Sequence, residues 1–159
     1  FVLPIFLKKF GIKWTMIIGM ISWILRYFVF AAAAGSLAGG SELAGAVMTM
    51  LLVGVLLHGF SYDFVFVSGY LYVDQHVDEK VRAQAQGLLT VFTQGIAFLI
   101  SSKILVGYYH AKIVGESGGF AEWKQFWMLP VGYLIVILIL FAVLFRERPT
   151  TRSQPDAAG

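Results

Sequence analysis

Long apolar runs, separated by short polar breaks, dominate the sequence. Residues 14–34 carry one charge, Arg26. Residues 46–73 are interrupted only by His58 and Asp63, residues 86–109 only by Lys103, and residues 126–145 by no charge at all. A bilayer core takes about 20 mostly apolar residues per helix. Backbone N–H and C=O groups cannot be left bare in lipid, so runs of this length predict helices. Residues 1–7 read as the inner end of one further, partial span. The expected fold class is all-α, a polytopic membrane helix bundle occupying residues 1–145. Residues 146–159, polar and holding two prolines, read as a flexible cytoplasmic tail.

Charge fixes the expected sidedness. Lys8, Lys9 and Lys13 precede the first full span, Lys80 and Arg82 join the second to the third, and Arg146, Arg148 and Arg152 follow the fourth. If every run crosses, these lie on one side, while the opposite loops hold only Lys112 and Lys124. The positive-inside rule makes the basic side, and the C-terminus, cytoplasmic. Composition agrees: 58% of residues are hydrophobic and 13% charged, against about 45–50% and 25% in soluble domains. The net charge of +3 therefore reports cytoplasmic loops, with nucleic acid not expected as a partner. No cysteine occurs, which excludes disulfides and thiolate metal sites. An apolar first residue and no initiator Met suggest a chain that opens inside a helix.

Charges within a span are the first functional candidates, because each is costly at membrane depth. At 1.5 Å per residue, Arg26 lies roughly 20 Å beyond Lys13 and Asp63 roughly 17 Å before Asp74, both near mid-membrane. Asp63 reads either as a proton- or ligand-binding carboxylate in an aqueous cavity, or as half of a structural ion pair with Arg26. His58, Tyr62, Phe66 and Tyr70 recur at four-residue spacing beside it. An aromatic lining next to a carboxylate suits a planar, polar ligand; the plainer alternative is packing against lipid and neighbouring helices. His76 lies in a loop and His110 at a helix end, so the three histidines make no metal site. Neither a nucleophile elbow nor a phosphate loop occurs, and no enzymatic activity is expected. Small residues in the third span, Gly87, Gly95, Ala97, Ser101 and Ser102, read as a close-packing face.

Three blocks carry a resemblance: Trp23-Ile24-Leu25-Arg26-Tyr27, then His58-Gly59-Phe60-Ser61-Tyr62-Asp63-Phe64 with Val67-Ser68-Gly69-Tyr70-Leu71-Tyr72-Val73, then Arg82-Ala83-Gln84-Ala85-Gln86-Gly87-Leu88. Their order and spacing resemble the nucleoside–proton symporter family of the major facilitator superfamily, and Leu7 to Met16 resembles a short cytoplasmic turn of that superfamily. The resemblance implies the end of helix 8 and helices 9 to 12, part of the C-terminal six-helix half of a twelve-helix transporter. It implies alternating access, a proton as coupling ion with no other cofactor, and a multi-pass place in the inner (cytoplasmic) membrane. Its partners would be a nucleoside or similar small polar solute, the lipid bilayer, and an N-terminal half absent from these residues. The family's aromatic–Asp pair at the substrate cavity matches Tyr62-Asp63, making Asp63 the proton-coupling candidate. His58 stands where the family typically has Tyr, and Ala97 and Ser101 where it has glycines. The substrate-binding set is thus Tyr62, Asp63, His58 and Phe66, with Arg26 as the structural ion-pair candidate. Two other functions stay open: a major facilitator transporter of another solute (sugar, peptide or drug), and a small four-helix membrane subunit with a binding role. On the transporter reading these residues alone should not transport.

Overall fold

The computed structural model describes residues 2–40, 44–114 and 119–147. Four helices there are long and apolar enough to cross a bilayer: α1 (Leu3–Ala38), α2 (Gly45–His76), α3 (Glu79–Ile113) and α4 (Phe120–Leu144). The described residues contain no strand. The shortest, at 25 residues, extends about 38 Å, more than a hydrocarbon core of about 30 Å.

α1 is two helices joined at a break. Gly11 sits at φ 77, ψ 174, a backbone region that is essentially glycine's alone. The break falls inside the basic turn Lys8–Lys13, and the helix restarts at once and runs past residue 34 to Ala38. The short piece before it packs back on α2, with the Phe6 ring 5.1 Å from Phe64 and 6.5 Å from Phe60.

A restarting helix exposes amide donors that need acceptors. Glu147, from beyond the end of α4, supplies them: Ile12 N–H donates to Oε1 at 3.0 Å and Lys13 N–H to Oε2 at 3.3 Å. The exchange is reciprocal, because Lys13 Nζ donates at 2.8 Å to the Ala142 carbonyl in the last turn of α4. Each helix end thus caps the other, with a carboxylate on an N-terminus and an ammonium on a C-terminus. Glu147 belongs to the segment expected to form a loose tail; residues 148–159 of that segment lie outside the described residues.

α1 packs mainly on α4 and α2. Its buried Ile17, Met20, Ile24, Ala31 and Ala34 follow the three- and four-residue steps of one helix face. Apolar contact between helices gains little over lipid contact, so close approach through small residues is what holds such a bundle. Gly19 provides it: a Cβ there would lie 2.7 Å from Phe64 Cβ, and one at Gly54 of α2 would overlap the Phe30 ring. The close-packing face expected on α3 is not observed among the described residues. A Cβ at Gly87 or Gly95 would meet nothing within 4 Å, and no residue in the most apolar stretch of α3 is buried. The glycines that matter are on α1 and α2, where the two helices meet.

α3 is tied to α2 by polar links. Asp74 and Arg82 form an ion pair at 3.2 Å across the turn, and Asp78 caps α3 by accepting from Lys80 N–H at 3.1 Å. Deeper in, Tyr70 and Thr90 hydroxyls lie 2.7 Å apart. α2 and α3 both depart from α geometry midway, with π-helical turns at Asp63–Val67 and Val91–Ile96.

Candidate functional site

The four substrate-binding candidates lie on one stretch of α2, around its π-helical turn. That turn opens at Asp63; widened turns of this kind are frequent at functional sites. Phe64 and Val65 are buried against α1, while Tyr62 and Asp63 remain exposed. His58 is exposed and Phe66 half-buried.

These side chains form a continuous aromatic surface. Tyr62 and Phe66 lie 4.8 Å apart, His58 and Tyr62 6.4 Å, and Trp23 of α1 stands edge-on to Phe66 at 5.4 Å. Gln94, in the π turn of α3, donates from Nε2 to Tyr62 Oη at 3.4 Å. The phenolic oxygen is then used as an acceptor, and its own O–H remains available as a donor. Asp63 makes no ion pair among the described residues. This stretch of α2 offers a phenolic donor and flat ring faces on one side and, about 100° further round, the Asp63 carboxyl group; groups of these kinds suit a ligand both planar and hydrogen-bonding. Neither Gln94 nor Trp23 is among the substrate-binding residues expected from sequence, although Trp23 lies in a block that carries the resemblance. A glutamine inside an apolar run was a visible signal, but only the α2–α3 approach shows what it reaches.

Arg26 does not pair with Asp63, contrary to the ion pair considered from sequence. Its Nη1 lies 2.8 Å from His58 Nδ1. The reason is rotational: five residues at about 100° each place His58 and Asp63 roughly 140° apart around α2, so a guanidinium that reaches one is turned from the other. Two ring faces shelter the charge, with the guanidinium carbon 5.3 Å from the Tyr27 centroid and 5.2 Å from that of Phe30. Both rings lean on Trp127 of α4, at 6.0 and 5.0 Å. Below this cluster, Trp23, Tyr27, Thr93, Ser101 and Tyr133 line a cleft of about 340 Å³ between α1, α3 and α4. Among the described residues no three His, Asp or Glu side chains gather as a metal site would require.

Apolar helices of spanning length, with a polar, aromatic-walled constellation at mid-helix, define a multi-pass membrane protein of the solute-transporter class. The comparisons with known proteins narrow this. The sequence profile described as "Nucleoside H+ symporter" matches residues 1–150, so the chain belongs to that family. Among curated proteins it is similar to the xanthosine permease of Escherichia coli (strain K12), 33% identical over 144 residues that cover 91% of this chain and 32% of the permease. It is similar also to the nucleoside permease NupG of the same organism, 31% identical over 148 residues covering 92% of this chain and 32% of NupG. The chain spans about one third of the length of these relatives, which are permeases rather than enzymes. No solved structure gives a significant match.

Proposed function

We propose that the chain forms part of the C-terminal half of a transporter that takes up nucleosides with protons by alternating access. The observation that carries this reading is the constellation on α2: exposed Asp63 without an ionic partner among the described residues, beside Tyr62, whose hydroxyl is oriented by Gln94. Membership of the nucleoside H+ symporter family supports it. The aromatic faces of Tyr62 and Phe66 stack the base, and Asp63 accepts from the base or ribose. Protonation of Asp63 removes an uncompensated charge at membrane depth and so biases which side of the carrier is open. With the basic turns cytoplasmic, α1 starts inside, and the C-terminus lies in the cytoplasm of a cell whose inner membrane holds the protein.

The test is uptake of labelled uridine by the complete transporter in proteoliposomes, with and without an inward proton gradient. Accumulation driven by the gradient, and its loss in Asp63→Asn, is the expected result. Gradient-driven accumulation that survives Asp63→Asn would remove the proton role from this residue. Competition by sugars but not nucleosides would move the chain to another substrate class.

A further inference from the structure

A guanidinium has five N–H donors and no acceptor, and it does not deprotonate in proteins. When Arg26 Nη1 approaches His58 Nδ1 to 2.8 Å, the imidazole nitrogen must therefore be the acceptor. Its lone pair faces the arginine, and the single proton of the neutral ring is on Nε2. His58 makes no other side-chain contact of hydrogen-bonding kind among the described residues, so Nε2–H is unengaged. The ring is exposed and lies 6.4 Å from Tyr62, one helical turn along the same surface of α2.

The geometry of Arg26 shows that it is committed to this contact. No carboxylate lies within ion-pairing distance of it among the described residues, and its Nε is buried with no hydrogen-bond partner. The rings of Tyr27 and Phe30, propped by Trp127, hold the guanidinium carbon at 5.2–5.3 Å. An arginine serving only as half of a structural ion pair would face an anion. This one faces a neutral ring and leaves part of its own donor capacity unsatisfied.

We propose that Arg26 is a positioning residue that locks His58 as the Nε2–H tautomer, so that α2 presents a hydrogen-bond donor for an acceptor oxygen or nitrogen of the nucleoside. The proposal rests on the nucleoside-transport reading above. It deepens that reading by giving the face of α2 that carries Tyr62 and Phe66 a directed donor at His58. Without Arg26 the two neutral tautomers compete, and in one of them a lone pair faces the ligand's acceptor.

The test has two independent readouts on the complete transporter. The first is the nitrogen NMR spectrum of histidine-labelled protein in nanodiscs at neutral pH, with His58 assigned by its disappearance in His58→Gln. The wild type should carry its proton on Nε2, and Arg26→Met should shift the population toward Nδ1–H. The second is uridine uptake. Arg26→Met should raise KM by about 3- to 10-fold, the value of one recognition hydrogen bond, with a much smaller change in maximal rate. Arg26→Lys, which keeps a donor, should fall between it and wild type. His58→Gln, which can accept from Arg26 and donate onward, should lose less affinity than His58→Leu. A wild-type His58 protonated on Nδ1, a tautomer unchanged in Arg26→Met, or a shifted tautomer with unchanged KM would each overturn the proposal. If Arg26→Met fails to fold, the wild-type spectrum and the His58 pair still decide it. Absence of any nucleoside uptake by the wild type would sink the transport reading instead, and the spectrum would still judge the Arg26–His58 contact.

Discussion

Replacing Glu147 by alanine removes the cap on the restarted helix of α1, and the loss can be worked from its contacts. The carboxylate accepts two backbone hydrogen bonds, one partly buried at 3.0 Å and one exposed at 3.3 Å. Hydrogen bonds to a charged group contribute about 1.5–3 kcal/mol when buried, and lost helix caps cost about 0.5–2 kcal/mol. Because Glu147 is exposed and its second bond is long, the lower part of those ranges applies, so Glu147→Ala should destabilise the protein by about 1–2 kcal/mol. Glu147→Gln, which keeps an acceptor but no charge, should lose roughly half of that. Gly11→Ala attacks the same joint from the other side. Its φ of 77 disfavours any side chain, and the added Cβ would stand 2.9 Å from Glu147 Oε2, so strain of about 1–3 kcal/mol comes with displacement of the carboxylate. The two substitutions should therefore be less than additive, since Gly11→Ala already weakens what Glu147→Ala removes. Denaturant unfolding of the complete transporter in mixed micelles, run as a double-mutant cycle, reads both effects. A Glu147→Ala protein as stable as wild type, or strict additivity in the cycle, would refute the capping argument.

Three other outcomes follow from particular contacts. Gly54→Ala forces its methyl into the Phe30 ring and should cost about 1–3 kcal/mol of stability in the same unfolding assay, with Phe30→Leu in that background recovering part of it. Tyr62→Phe removes the partner of Gln94 Nε2 and the free phenolic donor, and should raise the KM for uridine uptake by about 2- to 10-fold while leaving the protein monodisperse. Asp74→Asn breaks the pair with Arg82, whose side chains are 38% and 22% exposed. Unfolding should register at most about 1 kcal/mol for the loss of this pair, and a larger loss would mean that Asp74 holds the turn between α2 and α3 through more than this exposed pair.

The helical spans were legible because lipid leaves so few options: a run of apolar residues with one or two charges can satisfy its backbone in bilayer only as a helix. The same runs gave no information on what each helix touches. Gly87 and Gly95 looked like packing residues by type, yet the glycines at which α1 and α2 approach most closely are Gly19 and Gly54, because small residues mark an interface only where a neighbour arrives. Arg26 and Asp63 were recognisable as exceptional from depth alone, yet Arg26 meets α2 at His58, five residues from Asp63. Depth says nothing of rotation about a helix axis, and rotation is what gave Arg26 to His58. Glu147 escaped notice for a different reason. Its partners are backbone amides far away in sequence, and an amide left over at a helix break has no sequence signature beyond the glycine that makes the break.

The π-helical turn at Asp63–Val67 is the step that connects packing to chemistry. At about 100° per residue, two adjacent residues and the two before them fall on opposite sides of a helix. Here Tyr62 and Asp63 are exposed while Phe64 and Val65 are buried. Gly19 makes room for the buried pair by letting Phe64 and Val65 sit against the α1 backbone. α3 widens at the matching level, Val91–Ile96, and from that turn Gln94 reaches Tyr62. The carboxylate and the phenol are thus pushed outward by the same close contact that seats Phe64 inward. A site built this way couples its side chains to helix packing: any rocking of α2 against α1 that disturbs Phe64 over Gly19 also re-aims Asp63. On the proposed alternating-access reading, a binding group linked in this way to the Gly19–Phe64 contact would move with the helix interface.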